Sequence, residues 1–157
     1  MLNSKKELDK YFMQLAIKEA QKAFEVDEVP VGCIIVHKNQ PIARAFNQNK
    51  LLKDPTAHAE MLAITQGCEF LKSEYLPDTT LYVTLEPCPM CLGAMILARI
   101  GRLVFGAREE KTGACGSVVN LLADGKWNHR FKVQEGLLEF ESAALLQEFF
   151  KRKRRGA

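Results

Sequence analysis

The sequence predicts an α/β protein in which helices cover a sheet, and three observations carry that reading. The first stretch repeats apolar residues at helical spacing, and two strand-like runs follow it across a short polar turn. The centre then alternates strand, helix, strand, helix, strand, which requires crossover connections. Residues 5–26 set Leu8, Phe12, Leu15, Ala16, Ala20 and Ala23 among Lys, Glu and Gln, predicting an amphipathic helix that ends at the turn over 27–30. Runs 31–37 and 41–46 read as a hairpin joined by Lys38, Asn39 and Gln40, with Asn47 at its exit. Beyond Asp54-Pro55, Thr56 is the expected N-cap of a helix over 57–71. The β-branched and aromatic run 80–85 predicts a strand, Pro89 suits the first turn of a helix over 89–98, and Gly101 separates that helix from a strand over 102–105. A final helix is expected over 139–155, whereas 108–129 is too rich in glycine and polar residues to receive an assignment.

No repeat, low-complexity segment or linker divides the 157 residues, so one domain over 1–157 is expected, and 47% hydrophobic content suits a packed core. Residues 1–22 scatter Lys5, Lys6, Glu7, Asp9 and Lys10 among apolar positions, unlike a signal peptide. No run approaches the ~18 apolar residues of a membrane span. Five cysteines at irregular spacing argue against a secreted disulfide framework and for a reducing cytoplasm. The net charge is +3, yet Lys151, Arg152, Lys153, Arg154 and Arg155 alone supply +5 and leave −2 for the rest. Taken by itself such a block reads as a solvated tail, although it also suits phosphate backbones through counterion release.

Two short strings carry the chemistry: His58-Ala59-Glu60 and Pro87-Cys88-Pro89-Met90-Cys91. They offer three good zinc ligands, His58, Cys88 and Cys91, and one acid, Glu60, that is not needed as a ligand. Structural zinc is normally closed by four protein groups, whereas catalytic zinc keeps three and leaves one position open. The pair of strings is the known signature of zinc-dependent nucleobase deaminases. Because a helix turns ~100° per residue, His58 and Glu60 can address one metal only from a helix start, where side chains lean beyond the end. Cys88 and Cys91 are neighbours on a helix face, and a first turn favours the thiolate that zinc needs. Zinc would lower the pKa of a bound water from ~16 toward ~7, and Glu60 would carry that water's proton to a ring nitrogen and then to the departing amine. A redox reading of Cys88 and Cys91 leaves His58 and Glu60 idle, while Cys115 could close the metal as a fourth ligand. Cys33, Cys68, His37 and His129 receive no role. Asn47 either presents its amide to a base edge or ribose, or serves the turn in which it lies.

The residues around these strings sharpen the match. Glu28-Val29-Pro30-Val31-Gly32, Asp54-Pro55-Thr56-Ala57-His58-Ala59-Glu60, Leu81-Tyr82-Val83-Thr84-Leu85-Glu86-Pro87-Cys88 and Arg99-Ile100-Gly101-Arg102 resemble the bacterial tRNA-specific adenosine deaminase family. The resemblance continues through Phe105-Gly106-Ala107-Arg108, Lys111-Thr112-Gly113-Ala114, Asn128-His129-Arg130 and Phe149-Phe150, and so covers nearly the whole chain. It implies a cytidine-deaminase-like, three-layer α-β-α sandwich around a mixed five-stranded sheet. It also implies a homodimer, one Zn²⁺ per subunit, and conversion of the wobble adenosine of a tRNA anticodon stem-loop to inosine in the cytoplasm. By this resemblance His58, Cys88 and Cys91 bind zinc, Glu60 is the proton shuttle and Asn47 contacts the flipped nucleotide. Family members commonly carry Asp where this chain has Glu109, so the carboxylate near the nucleotide is kept but lengthened. With an RNA loop as substrate, the basic end at Lys151, Arg152, Lys153, Arg154 and Arg155 is expected to hold flanking phosphates.

Two other readings use the same residues. A deaminase of free guanine or another nucleobase would share the zinc site but has no need of the basic terminus. A non-catalytic RNA-binding domain stabilised by zinc would need Cys115 or a histidine as fourth ligand and would leave Glu60 without a task.

Overall fold

The computed structural model describes residues 4–156. Its helices are α1 (Lys5–Glu25), α2 (Ala59–Leu71), α3 (Pro89–Ala98), α4 (Leu121–Asp124) and α5 (Glu139–Gly156). Its strands are β1 (Gly32–His37), β2 (Gln40–Phe46), β3 (Thr79–Leu85), β4 (Arg102–Ala107) and β5 (Lys132–Gln134). They form one five-stranded sheet in the order β2-β1-β3-β4-β5. The β2, β1 and β3 neighbours pair antiparallel, whereas β3, β4 and β5 run parallel, so the sheet is mixed as expected. The hairpin closes on Lys38 and Asn39, both left-handed (φ 52° and 60°), which matches the right-handed twist of the strands on either side.

Alternation along the strands sorts the core into two layers. Ile34, Val36, Tyr82 and Val104 point to one face, where they bury Phe12, Met13, Leu15 and Ala16 of α1. Cys33, Ile35, Leu81, Val83, Leu103 and Phe105 point to the other and pack on Ala59 and Ala63 of α2 and on Cys91, Leu92, Met95 and Ile96 of α3. Both faces of the central strands are therefore covered, which is why β1, β3 and β4 read as nearly continuous apolar runs. Gly32 lets α1 lie close to β1, since a Cβ there would collide with the backbone at Ala16 and Ala20. No helix among the described residues is long and apolar enough to cross a membrane.

One expectation fails at the start of α2. Thr56 is not its cap: both its amide and its hydroxyl donate to Asp54 Oδ1, at 2.8 and 2.7 Å, in a turn over Pro55 and Thr56, and His58 is still extended (ψ 152°). The helix begins at Ala59, and His58 holds the N-cap position without a capping hydrogen bond from its own side chain. The missing acceptor comes from another element, because Asn47 Oδ1, at the exit of β2, accepts the Ala59 amide at 2.7 Å. Position 88 repeats the arrangement, with Cys88 at the N-cap of α3, no side-chain cap bond, and Pro89 in the first turn.

Candidate metal centre and active site

Two helix starts converge beyond the end of β3. His58 Nδ1 lies 3.6 Å from Cys88 Sγ and 3.4 Å from Cys91 Sγ, and the three ligand atoms all fall within 4.8 Å of one another. Bonds of ~2.3 Å to sulfur and ~2.0 Å to nitrogen, set at tetrahedral angles, separate N from S by about 3.5 Å. The observed spacings therefore fit one tetrahedral metal, with a softness of donors that suits zinc. Among the described residues this is the one such cluster, and Cys115 lies outside it. The fourth-ligand role left open for Cys115 is not what the geometry provides.

The electrostatics favour binding of a cation. Cys91 Sγ and then the His58 ring stabilise the Cys88 thiolate, and against the opposing cost of burial they pull its pKa down to about 4. Its partnership with Cys88, followed by burial, pushes Cys91 up, so Cys91 keeps the shared proton. His58 is raised as well, chiefly by its contact with Cys88. Both Cys91 and His58 must shed a proton to become ligands, so metal uptake releases protons and tightens as pH rises.

Glu60, the second residue of α2, is buried (4% exposed) with no cation in salt-bridge contact, and burial raises its carboxyl to about 7. Its carboxyl is also hydrogen-bonded to Cys91. Asn47 is nearly buried, and its carbonyl oxygen is committed to the start of α2 while its amide nitrogen is not among the buried unpaired atoms. Glu109 is half-buried, with its amide donated to Glu86 and its own carboxylate accepting the Lys111 amide at 3.0 Å.

The basic end forms the last turns of α5. Arg152 pairs with Glu148 and lies over Phe24, and Lys153 pairs with Asp27 and lies over Phe149. Among the described residues, Lys151, Arg154 and Arg155 have no acidic partner. Lys153 and Arg154 join Lys111 and Phe150 around a recess of about 440 Å³, which connects the loop after β4 to the basic end.

Two acids were not singled out from the sequence. Glu28, 2% exposed, accepts the Lys50 and Leu51 amides at 3.1 and 2.7 Å and fixes the loop after Asn47. Glu86, also 2% exposed, organises the loop after β4. Each is visible only as an acid next to a proline-containing turn, a signal too common to carry a role.

Comparison with known proteins agrees with this geometry. The MafB19-like deaminase family matches residues 7–154. A tRNA-specific adenosine deaminase of Aquifex aeolicus is 50% identical over 144 residues, 92% of this chain and 95% of that protein. A solved structure from work on A-to-I editing by tRNA:A34 deaminases at the wobble position superposes with a TM-score of 0.84 at 47% identity, covering 87% of this chain and 99% of that one. A guanine deaminase of Bacillus subtilis matches less well, with a TM-score of 0.60 at 37% identity over 62% of this chain and 63% of its own. The near-complete, high-identity matches are thus to deaminases of tRNA adenosine, and the chain belongs to the tRNA-specific adenosine deaminase family.

Proposed function

We propose that this chain hydrolytically deaminates the wobble adenosine, position 34, of a tRNA anticodon to inosine with release of ammonia, using one Zn²⁺ held by His58, Cys88 and Cys91. The observation that carries the proposal is the triad at two helix starts with a buried, metal-free carboxyl, Glu60, beside it. Bound zinc supplies a Lewis acid that makes water nucleophilic at neutral pH. Glu60 takes the proton of the attacking water, passes it to the purine ring nitrogen and delivers the next to the leaving amine. Glu60 is buried beside the triad and is not part of it, so its carboxyl is available to take a proton and to give it up, as that cycle requires. Glu60 itself is buried, which limits exchange of these protons with bulk water.

The substrate base must leave any stack, which is cheapest in an unpaired loop. Asn47 is placed to present its amide N–H to the extruded nucleotide while its oxygen holds the start of α2. The two jobs can be separated. Asn47→Asp keeps the acceptor and loses the donor, so metal content stays at one per chain while KM for an anticodon stem-loop rises about tenfold, as for one lost hydrogen bond in a polar site. Asn47→Ala loses the helix cap too, adding about 1 kcal/mol of instability. Equal metal content, KM and thermal midpoint in the two variants would refute the division.

Lys151, Arg154 and Arg155 are proposed to hold loop phosphates, with Arg152 and Lys153 positioned by Glu148 and Asp27. Changing Lys151, Arg154 and Arg155 to alanine should weaken stem-loop binding and lower the slope of log affinity against log salt by about 2, at ~0.7 per phosphate contact. An unchanged slope would remove the basic end from the interface.

The chain also presents a surface suited to a second copy. α3 carries no charged residue, its Leu97 is 78% exposed, and the face at Gly93 is open. Apolar surface of that kind calls for a partner. We therefore place the active form as a cytoplasmic homodimer of one deaminase domain per chain, 1–157. The deciding assay incubates the protein with a tRNA bearing adenosine at position 34 and, separately, with free guanine. Inosine in the tRNA with no ammonia from guanine supports this reading, and the reverse overturns it.

A further inference from the structure

Glu86 lies between the last residue of β3 and the ligand Cys88 and is almost completely buried. Its carboxylate has every acceptor direction filled from the loop that follows β4. Oε1 accepts the Glu109 amide at 3.0 Å and the Ser117 hydroxyl, while Oε2 accepts the amides of Cys115 at 2.9 Å and Ser117 at 3.2 Å. On either side, the Glu86 amide donates to Ala107 O at 2.8 Å and the Ala114 amide to Pro87 O at 2.8 Å. Gly113 sits directly against the carboxylate, where a Cβ would collide with the Glu86 carboxyl carbon and with Glu109 O.

Residues 108–117 contain no helix and no strand of the sheet, and beside the loop's own bonds from Gly113 to Glu109 O and from Gly116 to Val119 O, Glu86 alone accepts four of their hydrogen bonds. The same loop carries Glu109 and delivers Lys111 to the recess with Phe150, Lys153 and Arg154. We infer that Glu86 is a positioning residue, the template on which 109–117 folds, and that through Glu109 and Lys111 it sets how the enzyme grips RNA flanking the target nucleotide. It does this without touching metal or reacting atoms, so it governs substrate binding more than turnover. The RNA half of the inference rests on the function proposed above; the template half does not.

Glu86→Gln tests both. The amide keeps the size of the carboxylate but turns an NH₂ toward groups that are themselves donors, leaving at least one buried N–H unpaired. Expected results are unchanged metal content, faster hydrogen exchange at the amides of Glu109, Cys115 and Ser117 with α2 and α3 unaffected, and a KM for the anticodon stem-loop raised about tenfold with kcat within about threefold. Ser117→Ala, which removes one bond of the four, should move exchange and KM the same way by less, and keeps the test available if Glu86→Gln does not fold. Unchanged loop exchange overturns the template role. Faster exchange with unchanged KM, or a fall in kcat alone, overturns the role in RNA binding. If the wild type fails to edit tRNA, the proposed substrate fails, and exchange still decides the template.

Discussion

Replacing Glu60 by glutamine is expected to lower wobble-adenosine deamination by roughly 10²–10⁴-fold while leaving one metal per chain, the loss typical of a removed general acid–base group. Glutamine keeps the size and the hydrogen-bonding oxygen of Glu60 but cannot carry a proton between water and purine. Metal should persist because Glu60 is not part of the His58, Cys88 and Cys91 cluster. A stability signature should accompany the kinetic one. Burial raises Glu60 from 4.5 to about 7, so between those values the folded protein holds a proton that the unfolded chain has released. Relative to the Glu60→Gln protein, metal-stripped wild type should therefore lose stability as pH rises through that window, a difference that separates Glu60 from the opposite contribution of Cys88, whose thiol is held down at about 4. Single-turnover rates, metal analysis and denaturant titrations from pH 4.5 to 7 give the three readouts. Turnover within threefold of wild type would assign the proton to another group.

The second large effect is expected at Cys88. Cys88→Ala leaves two ligands, so metal at micromolar zinc should drop from one per chain to near zero and editing should fall to background. Cys88→Ser separates chemistry from folding. Serine keeps a side-chain acceptor at the N-cap of α3, so the start of that helix is expected to persist. Serine is nevertheless a poor zinc ligand, so the variant should be well folded, metal-poor and inactive. Stoichiometric zinc in either variant would bring another group into the centre, with Cys115 the first to examine by substitution.

What the sequence made legible was whatever depended on period and on ligand chemistry. The apolar and β-branched runs of β1 and β3 came from composition, the apolar stripe of α1 came from spacing, and the triad came from residue types that few structures combine without metal. The start of α2 was misplaced because Thr56 has the chemistry of a cap but spends it on Asp54, while the acceptor in use belongs to Asn47, a strand exit away. Residues 108–129 gave no assignment for a similar reason. Part of the loop is held by Glu86, which belongs to another element, and α4 spans only four residues; beyond that stretch, β5 is an edge strand of three exposed residues with no buried face to impose a period. Its strand character comes from parallel pairing with β4. The basic end was legible as charge, but its division into paired and free cations was not, because Asp27 is 126 residues from Lys153.

The wide separation of the ligands bears on how the protein is made. His58 stands 30 and 33 residues from Cys88 and Cys91, and the two helix starts meet only once β1 has paired with β3 and α2 and α3 have docked on the same face. Metal cannot guide the early chain toward that arrangement, since no pair spanning the two strings is close before the sheet exists. Formation of the centre after the rate-limiting step predicts that zinc slows unfolding while leaving the folding rate nearly unchanged. The centre would thus act as a latch, set last on folding and the first thing that must open on unfolding.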